Sequence, residues 1–397
     1  MAMKNTHMVG FIEGDGIGPE VMPLVRELIN HVVNVCYRGE QTISWQPLLL
    51  GEQAAMSGDG EWFPQSTVSA LRELKVALKG PMSSAIGGGF RSLNIALREE
   101  LDLFCNMRVI KSLAGLPTPL KNAADIDLVV FRECSEDSFA SIELGANTPD
   151  AQRLIEVLEQ ELGYYRLRFV DDCALAIKNC SKAATERLVQ RAVDYALAHN
   201  RKKLTVVHKS NAWQLTEGQF QLWASDFITN HYELKSSDDG AQFIVNPQGG
   251  DIVVEQMMLD QVMQRLAQQP QQFDVLVCNN LAGDLISDLA TSLIGGVGIV
   301  PSVNCNNEMA LFEPSHGPFR RIAGSGLANP SATVWAGILM LEHLGMHEAA
   351  ASLWSGLRDV INAHDALFQL DTRDSLNQGV STTHIIAAIE AAIPMPA

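Results

Sequence analysis

The chain has 397 residues, 47% of them apolar, which is enough to bury a large core in more than one lobe without disulfide staples. A formal net charge of −17 sets the surface against nucleic acid and anionic membrane, and no apolar run reaches the roughly 18 residues of a membrane helix. Seven scattered cysteines (Cys36, Cys105, Cys134, Cys173, Cys180, Cys278 and Cys305) without a Cys-x-x-Cys pair argue against a zinc site or a disulfide framework. With no apolar signal stretch in Met1 to Met8, the expectation is a cytoplasmic enzyme or binding protein.

Short apolar runs alternate with longer helical patterns, which predicts an α/β fold with sheets covered by helices. Val9 to Ile12 reads as a strand and Glu20 to Tyr37 as an amphipathic helix. Between them, Gly14, Gly16 and Gly18 form G-x-G-x-G rather than the dinucleotide spacing G-x-G-x-x-G. Pro19 suits a first helical position, so a plain turn competes there with a phosphate loop. Lys79 to Asn94 joins Ser83, Ser84 and the triple glycine 87–89 to a helix from Leu93 to Leu101. Free backbone N–H groups and a helix N-terminus favour an anion there. Asn94 and Arg98 share a face, and Ser92 is either a ligand contact or a helix cap. Lys79, Arg91, Arg98, Arg108, Lys111 and Arg132 gather against the overall charge, which suggests an anionic ligand, although scattered solvated cations would look the same.

Beyond the strand-like Ile126 to Phe131, residues 137–180 read as an inserted arm. It has a helical stretch near 150–162 and β-rich runs at Tyr164 to Val170 and Cys173 to Ile177. Further strands are expected at Leu204 to Val207 and Phe273 to Cys278, and a helix with its exit turn over Asp260 to Gln272. Asp284 and Asp288 lie one helical turn apart, on a helix start expected beside Gly283. They read either as oxygen ligands for a hard divalent cation or as first-turn acids stabilised by the helix dipole. His316, followed by Arg320, Arg321 and Gly324, is either a nucleotide-contacting loop or structural.

In joint order these blocks resemble the bacterial isocitrate dehydrogenases over nearly the whole chain. The resemblance rests on Gly14-Asp-Gly-Ile-Gly18, Lys79-Gly-Pro81, Gly87-Gly-Gly89, Arg91-Ser-Leu-Asn94 with Arg98, Phe131-Arg-Glu133 and Ser135-Glu-Asp137. It continues through His208-Lys-Ser-Asn211, Thr216-Glu-Gly218, Gly283-Asp284, Ile286-Ser-Asp288, His316-Gly317 and Asn329-Pro330. It implies the isocitrate/isopropylmalate dehydrogenase-like fold. A large α/β domain would take residues 1–103 and 295–397, a small α/β domain 104–136 and 182–294, and an inserted clasp of a homodimer 137–181. It implies oxidative decarboxylation of isocitrate to 2-oxoglutarate, with isocitrate held by Ser92, Asn94, Arg98, Arg108 and Arg132. Lys209 would act across the dimer, and Mg²⁺ or Mn²⁺ would be bound by Asp284, Asp288 and Asp260 of the neighbouring subunit, Asp260 also taking part in catalysis. NADP or NAD would meet Lys79, Ser84, His316, Gly317, Arg321, Ile322 and Asn329.

The chain departs from the family pattern where proton transfer is expected. The family's catalytic Tyr after Ser-Glu-Asp is Phe139, and a phenyl ring donates no proton. Ala282 replaces an Asn, and Pro318 removes a backbone donor from the His316 loop. The alternatives are the same chemistry on an analogue such as homoisocitrate or a phosphonate-bearing malate, and a catalytically weakened ligand-binding paralogue. Arg321-Ile322 mixes the two cofactor subtypes. With Phe368 near the expected Tyr, and Thr372 or Arg373 near the expected Arg, it predicts a small preference for NADP.

Overall fold

The structure is a computed structural model that describes residues 5–57, 60–83, 92–116, 118–120, 126–363 and 380–394. The first half contributes strands β1 (Asn5–Ile12), β2 (Gln41–Pro47), β3 (Val76–Lys79), β4 (Cys105–Lys111), β5 (Asp127–Glu133), β6 (Glu143–Leu144) and β7 (Leu175–Ala176). Then come β8 (Lys203–His208), β9 (Leu234–Ser236), β10 (Gln242–Ile244), β11 (Ile252–Met258), β12 (Val275–Cys278), β13 (Pro301–Cys305) and β14 (Ala310–Pro314). All but β6 and β7 join one twelve-stranded sheet in the order β2-β1-β3-β14-β13-β4-β5-β12-β8-β11-β10-β9. The apolar runs Val9 to Ile12, Leu128 to Phe131 and Val275 to Cys278 are fully buried, as strands covered on both faces must be.

Two blocks of parallel pairing meet in this sheet. β2, β1, β3 and β14 are mutually parallel, as are β5, β12, β8 and β11. Between them β13 and β4 pair antiparallel with each other and with their outer neighbours, so the two blocks run in opposite directions. β1, β2 and β3, from residues 5–79, lie with β14 on one side of the β13–β4 pair. Alternation along β4 sends Asn106 and Arg108 to one face and Cys105, Met107 and Val109 to the other. Helices Leu93–Glu100 and Asn280–Ser292 cover the first face, while Lys182–Ala198, Ser331–His343 and His347–Ala363 cover the second.

The helix Gly18–Tyr37 starts with Pro19 in its first turn, as its sequence predicts, and packs Val21, Met22, Val25, Leu28, Ile29, Val32 and Val33 into the core. The loop before it is a structural joint. Asp15 accepts the backbone N–H of Glu52 at 2.9 Å and of Ser83 at 2.8 Å, and Ile17 N–H donates to the Pro318 carbonyl at 2.9 Å.

The arm over residues 137–181 departs from its sequence reading. The run Tyr164 to Val170 forms no strand, and Cys173 to Ile177 contributes only β7, paired antiparallel with β6. Tyr164, Tyr165 and Phe169 stand exposed beside it. Their β propensity goes unused because no neighbouring strand of this chain offers a ladder to complete. Among the described residues, no helix is long and apolar enough to cross a membrane.

Gly16 is held at φ +59, where a Cβ would lie 1.9 Å from the Pro318 carbonyl oxygen. Gly16→Ala is therefore expected to destabilise the fold by about 2 kcal/mol through backbone strain and displacement of the 316–319 loop. Urea unfolding of wild type and variant measures this directly.

Candidate active site

Three guanidiniums converge on one face of the sheet. Arg108 rises from the middle of β4, Arg132 from the end of β5, and Arg98 from the helix Leu93–Glu100 laid across that face. Arg132 is 3% exposed, and burial, reinforced by the charges of Arg98 and Arg108, pulls its pKa below the usual arginine value. Such a cluster needs negative charge close by. The helix Asn280–Ser292 supplies it: Asp284 pairs with both Arg132 and Arg108, and Asp288 pairs with Arg108. This helix can approach only because residue 283 has no side chain, since a Cβ at Gly283 would lie 2.7 Å from the Cβ of Arg132. Asn280 accepts a hydrogen bond from Arg132 Nε at 2.8 Å.

Gly283 lies inside this helix, and Asp284 is its fifth residue. The expectation of a helix start beside Gly283 is thus corrected: the helix begins after β12 at Asn280. The two aspartates stand beyond the first turn, where the helix dipole has faded, so the arginines hold them. Ser92 precedes its helix without a side-chain cap bond, and the side-chain amide oxygen of Asn94 is buried without a hydrogen-bond partner among the described residues.

A second polar layer joins the expected cofactor side to the arginines. Lys79 is buried against Glu313 at 2.6 Å. Burial raises the Glu313 carboxyl, but the charges of Lys79 and Arg98 outweigh it and hold the pKa below its usual value. Asn304 donates to Glu313 at 2.5 Å and accepts from Arg98 Nε at 2.9 Å and from Asn106 at 2.8 Å. Asn106, Asn304 and Glu313 were not singled out from the sequence. Their signal is an alternation of polar residues along otherwise apolar strands, with Asn106 and Arg108 on β4 and Ser302 and Asn304 on β13.

Lys209 and Asp260 sit past the carboxyl ends of the paired strands β8 and β11 and bind each other. Within one chain they are apart from the arginine cluster, which lies across β5 and β12. Phe139 occupies the short 3-10 turn Asp137–Ala140 and lies over the Arg132 guanidinium, 4.8 Å from ring centroid to Cζ. That turn is tied to the carboxylate helix, because Asp137 accepts the Leu281 N–H at 3.0 Å. Lys111 instead pairs with Asp127 at 2.7 Å and takes no part in the cluster.

On the other side, His316 is buried, with Nδ1 2.9 Å from the Gly317 carbonyl. That carbonyl can only accept, so Nδ1 carries the proton and Nε2 is a bare acceptor. His316 Nε2 and Asn329 Nδ2 are both buried without a partner among the described residues, one acceptor and one donor on the same loop. Open space lies beside Gly317. The edge of a nucleotide base fits that pattern. Arg321 is exposed on the loop, whereas Ile322 packs into the core. Ser84, Arg91, the triple glycine, Phe368, Thr372 and Arg373 lie outside the described residues.

For a divalent cation, the described residues of one chain gather no group of three His, Cys, Asp or Glu side chains. Asp284 and Asp288 offer two half-exposed carboxylates of the hard oxygen type that Mg²⁺ and Mn²⁺ prefer, and a third ligand has to come from elsewhere.

A site of this kind suits an α/β enzyme that holds a polyanion beside a nucleotide. The chain belongs to the isocitrate/isopropylmalate dehydrogenase family, which its residues 8–389 match. It is 35% identical over 374 residues to the isocitrate dehydrogenase (NADP) of Pseudomonas aeruginosa, covering 94% of this chain and 90% of the relative. With the isocitrate dehydrogenase (NADP) of Staphylococcus epidermidis it shares 39% over 377 residues, 90% of this chain and 89% of the relative. The crystal structure of isocitrate dehydrogenase from Methylococcus capsulatus superposes with a TM-score of 0.78 at 30% identity, covering 98% of this chain and 99% of that one.

Burial pushes the His316 pKa down to about 4. An unfolded chain takes up this proton near pH 6.5, so between those two values the unfolded state binds more protons and stability falls as the pH drops. The expected loss is about 3 kcal/mol from about pH 7 to about pH 4, complete once the folded-state pKa is reached. His316→Gln should flatten that slope in denaturant titrations across the window, and an unchanged slope would show that another group sets it.

Proposed function

We propose that this chain catalyses the NADP-dependent, metal-assisted oxidative decarboxylation of isocitrate. The observation that carries it is the convergence of Arg98, Arg108 and Arg132 on the carboxylate pair Asp284 and Asp288, in a chain whose relatives are named isocitrate dehydrogenase (NADP). Forked guanidiniums match the carboxylates of a tricarboxylate. Ser92 and the side-chain amide oxygen of Asn94, which has no partner among the described residues, add hydrogen-bonding groups on the helix that carries Arg98.

In this reading Arg98, Arg108 and Arg132 hold and orient the substrate while Phe139 keeps water from the Arg132 end. Asp284 and Asp288 would hold Mg²⁺ or Mn²⁺, and the substrate's carboxylates would then pair with the guanidiniums. A bound cation supplies Lewis acidity at the hydroxyl and the developing carbonyl. His316, Gly317, Arg321 and Asn329 would hold NADP, which would supply the hydride acceptor. Arg321, permanently charged, favours the 2′-phosphate. Lys79, locked to Glu313, fixes the position of Arg98 through Asn304.

Two carboxylates from one chain and a Lys209–Asp260 pair held apart from them support a homodimeric site. A second copy brings Lys209 and Asp260 to the arginine cluster, and residues 137–181 with their exposed Tyr164, Tyr165 and Phe169 form the clasp between copies.

Asp284→Asn is expected to abolish turnover of isocitrate with NADP in a protein that still assembles but unfolds more easily, because Arg132 and Arg108 lose their shared carboxylate. Excess EDTA should silence the wild type reversibly. Steady-state NADP reduction, together with the oligomeric mass of the variant, tests both, and full activity in EDTA would sink the metal assignment.

Phe139 favours one further distinction. A hydroxyl on its ring would stand beside Arg132, placed to donate a proton, and a positioned acid contributes about 10²-fold or more. Phe139→Tyr is accordingly expected to raise kcat on isocitrate. A fall in kcat would point to an analogue of isocitrate whose shape requires the bare ring.

A further inference from the structure

The face of the sheet opposite the arginines carries chemistry that the dehydrogenase reading does not use. Helices Lys182–Ala198, Ser331–His343 and His347–Ala363 enclose a cavity of about 910 Å³ there, floored by Met107, Val109, Val303 and Cys305. In the antiparallel ladder between β4 and β13, Cys305 stands directly opposite Cys105. Residues directly opposed in such a ladder project to the same face with Cα atoms about 4.5–5.5 Å apart. That range lies inside the Cα window a disulfide requires, so the strand spacing is compatible with a bond.

We propose that Cys105 and Cys305 form a reversible dithiol/disulfide modification site whose oxidant is a hydroperoxide admitted through the rear cavity. The two thiols are not equivalent. Cys305 lines the cavity and shares it with Arg191, whereas Cys105 is completely enclosed. The facing Cys105 thiol, helped by the Arg191 cation, pulls the Cys305 thiol down, while Cys105 is driven up by that same contact and by burial. One member is therefore the nucleophile and the other resolves.

The step balances as follows. The Cys305 thiolate attacks one peroxide oxygen, the O–O bond breaks, and water or an alcohol leaves after protonation, giving a sulfenic acid on Cys305. The Cys105 sulfur then attacks the Cys305 sulfur, the S–O bond breaks and water leaves with the Cys105 proton. Two thiols are oxidised by two electrons and one hydroperoxide is reduced by two. A dithiol reductant reverses the change by thiol exchange.

The position gives the modification a route to the front of the sheet. Cys305 is followed backward in β13 by Asn304, which accepts from Arg98 and Asn106, and Cys105 is followed in β4 by Asn106. A cross-link would thus staple the ladder whose opposite face positions the arginines. It also joins positions 105 and 305, closing a long loop of the unfolded chain, so the oxidised protein should unfold at a higher temperature than the reduced one.

The test exposes the intact protein to hydrogen peroxide in modest excess, alkylates remaining thiols under denaturing conditions, and maps the peptides by mass spectrometry with and without dithiothreitol. The expected result is a peptide joining Cys105 to Cys305, lighter by two hydrogens and lost on reduction, absent from Cys305→Ser. Recovery of both cysteines singly alkylated while the arm's Cys173 is oxidised would overturn the proposal. So would a bridge from Cys105 to Cys134, or Cys305 carried through to sulfinic acid. The wild-type map decides the matter even where the variant folds poorly.

Discussion

The structure is organised around the problem of keeping three arginines close together in a place largely closed to water. Arg108 and Arg132 are each buried to nine-tenths or more, and Arg98 approaches them from a third element. Uncompensated, such a cluster would cost several kcal/mol per charge, so the fold must bring a carboxylate to it. Asp284 answers that demand for two arginines at once. Its position depends on Gly283, the residue through which a helix can press against the backbone of β5. The same arrangement leaves a ready exchange: an anionic ligand with a divalent cation can take the guanidiniums and the carboxylates without leaving either charge unpaired.

The layer behind Arg98 follows from the same logic. Lys79 and Glu313 are buried beyond the reach of solvent and satisfy each other, and Asn304 passes that fixed geometry to Arg98. Buried ion pairs add little net stability but are costly to break from one side, which makes them good fixed points. The side expected to meet the nucleotide is built differently, with one acceptor and one donor on the loop from His316 to Asn329 that have no partner among the described residues. In the proposed reading, rigid, satisfied groups would position the polyanion, and the unsatisfied ones would meet the base.

The third constraint is the direction of the strands. Two oppositely running parallel blocks can share one sheet only through an antiparallel seam, and β13 and β4 provide it. The seam has the arginines on one face and the rear cavity with its facing cysteines on the other, because side chains alternate along every strand. Residues 137–181 leave this sheet and return to it, and their exposed aromatics have no partner strand within the chain. In the proposed homodimer a second copy would cover them.

The α/β class, the buried strands and the helix opened by Pro19 were legible in the sequence because apolar periodicity and proline geometry act locally. Arg98, Arg108, Arg132, Asp284 and Asp288 could be named because charged residues in turn-rich or strand-end positions stand out, and because their order resembles a known family. What the tertiary structure alone decided is which of them meet. Lys79 and Lys111 look like Arg98 and Arg132 in the sequence, yet each is neutralised by a carboxylate from a distant strand or from the neighbouring one. The helix starts at Asn280, three residues before Gly283, because the approach of Gly283 to Arg132 is a long-range packing contact that no local pattern records. The run Tyr164 to Val170 has the composition of a strand and is not one, because a strand is completed by its neighbour rather than by its own residues. Asn106, Asn304 and Glu313, and the meeting of Cys105 with Cys305, belong wholly to the register of the seam, which brings together residues some two hundred positions apart.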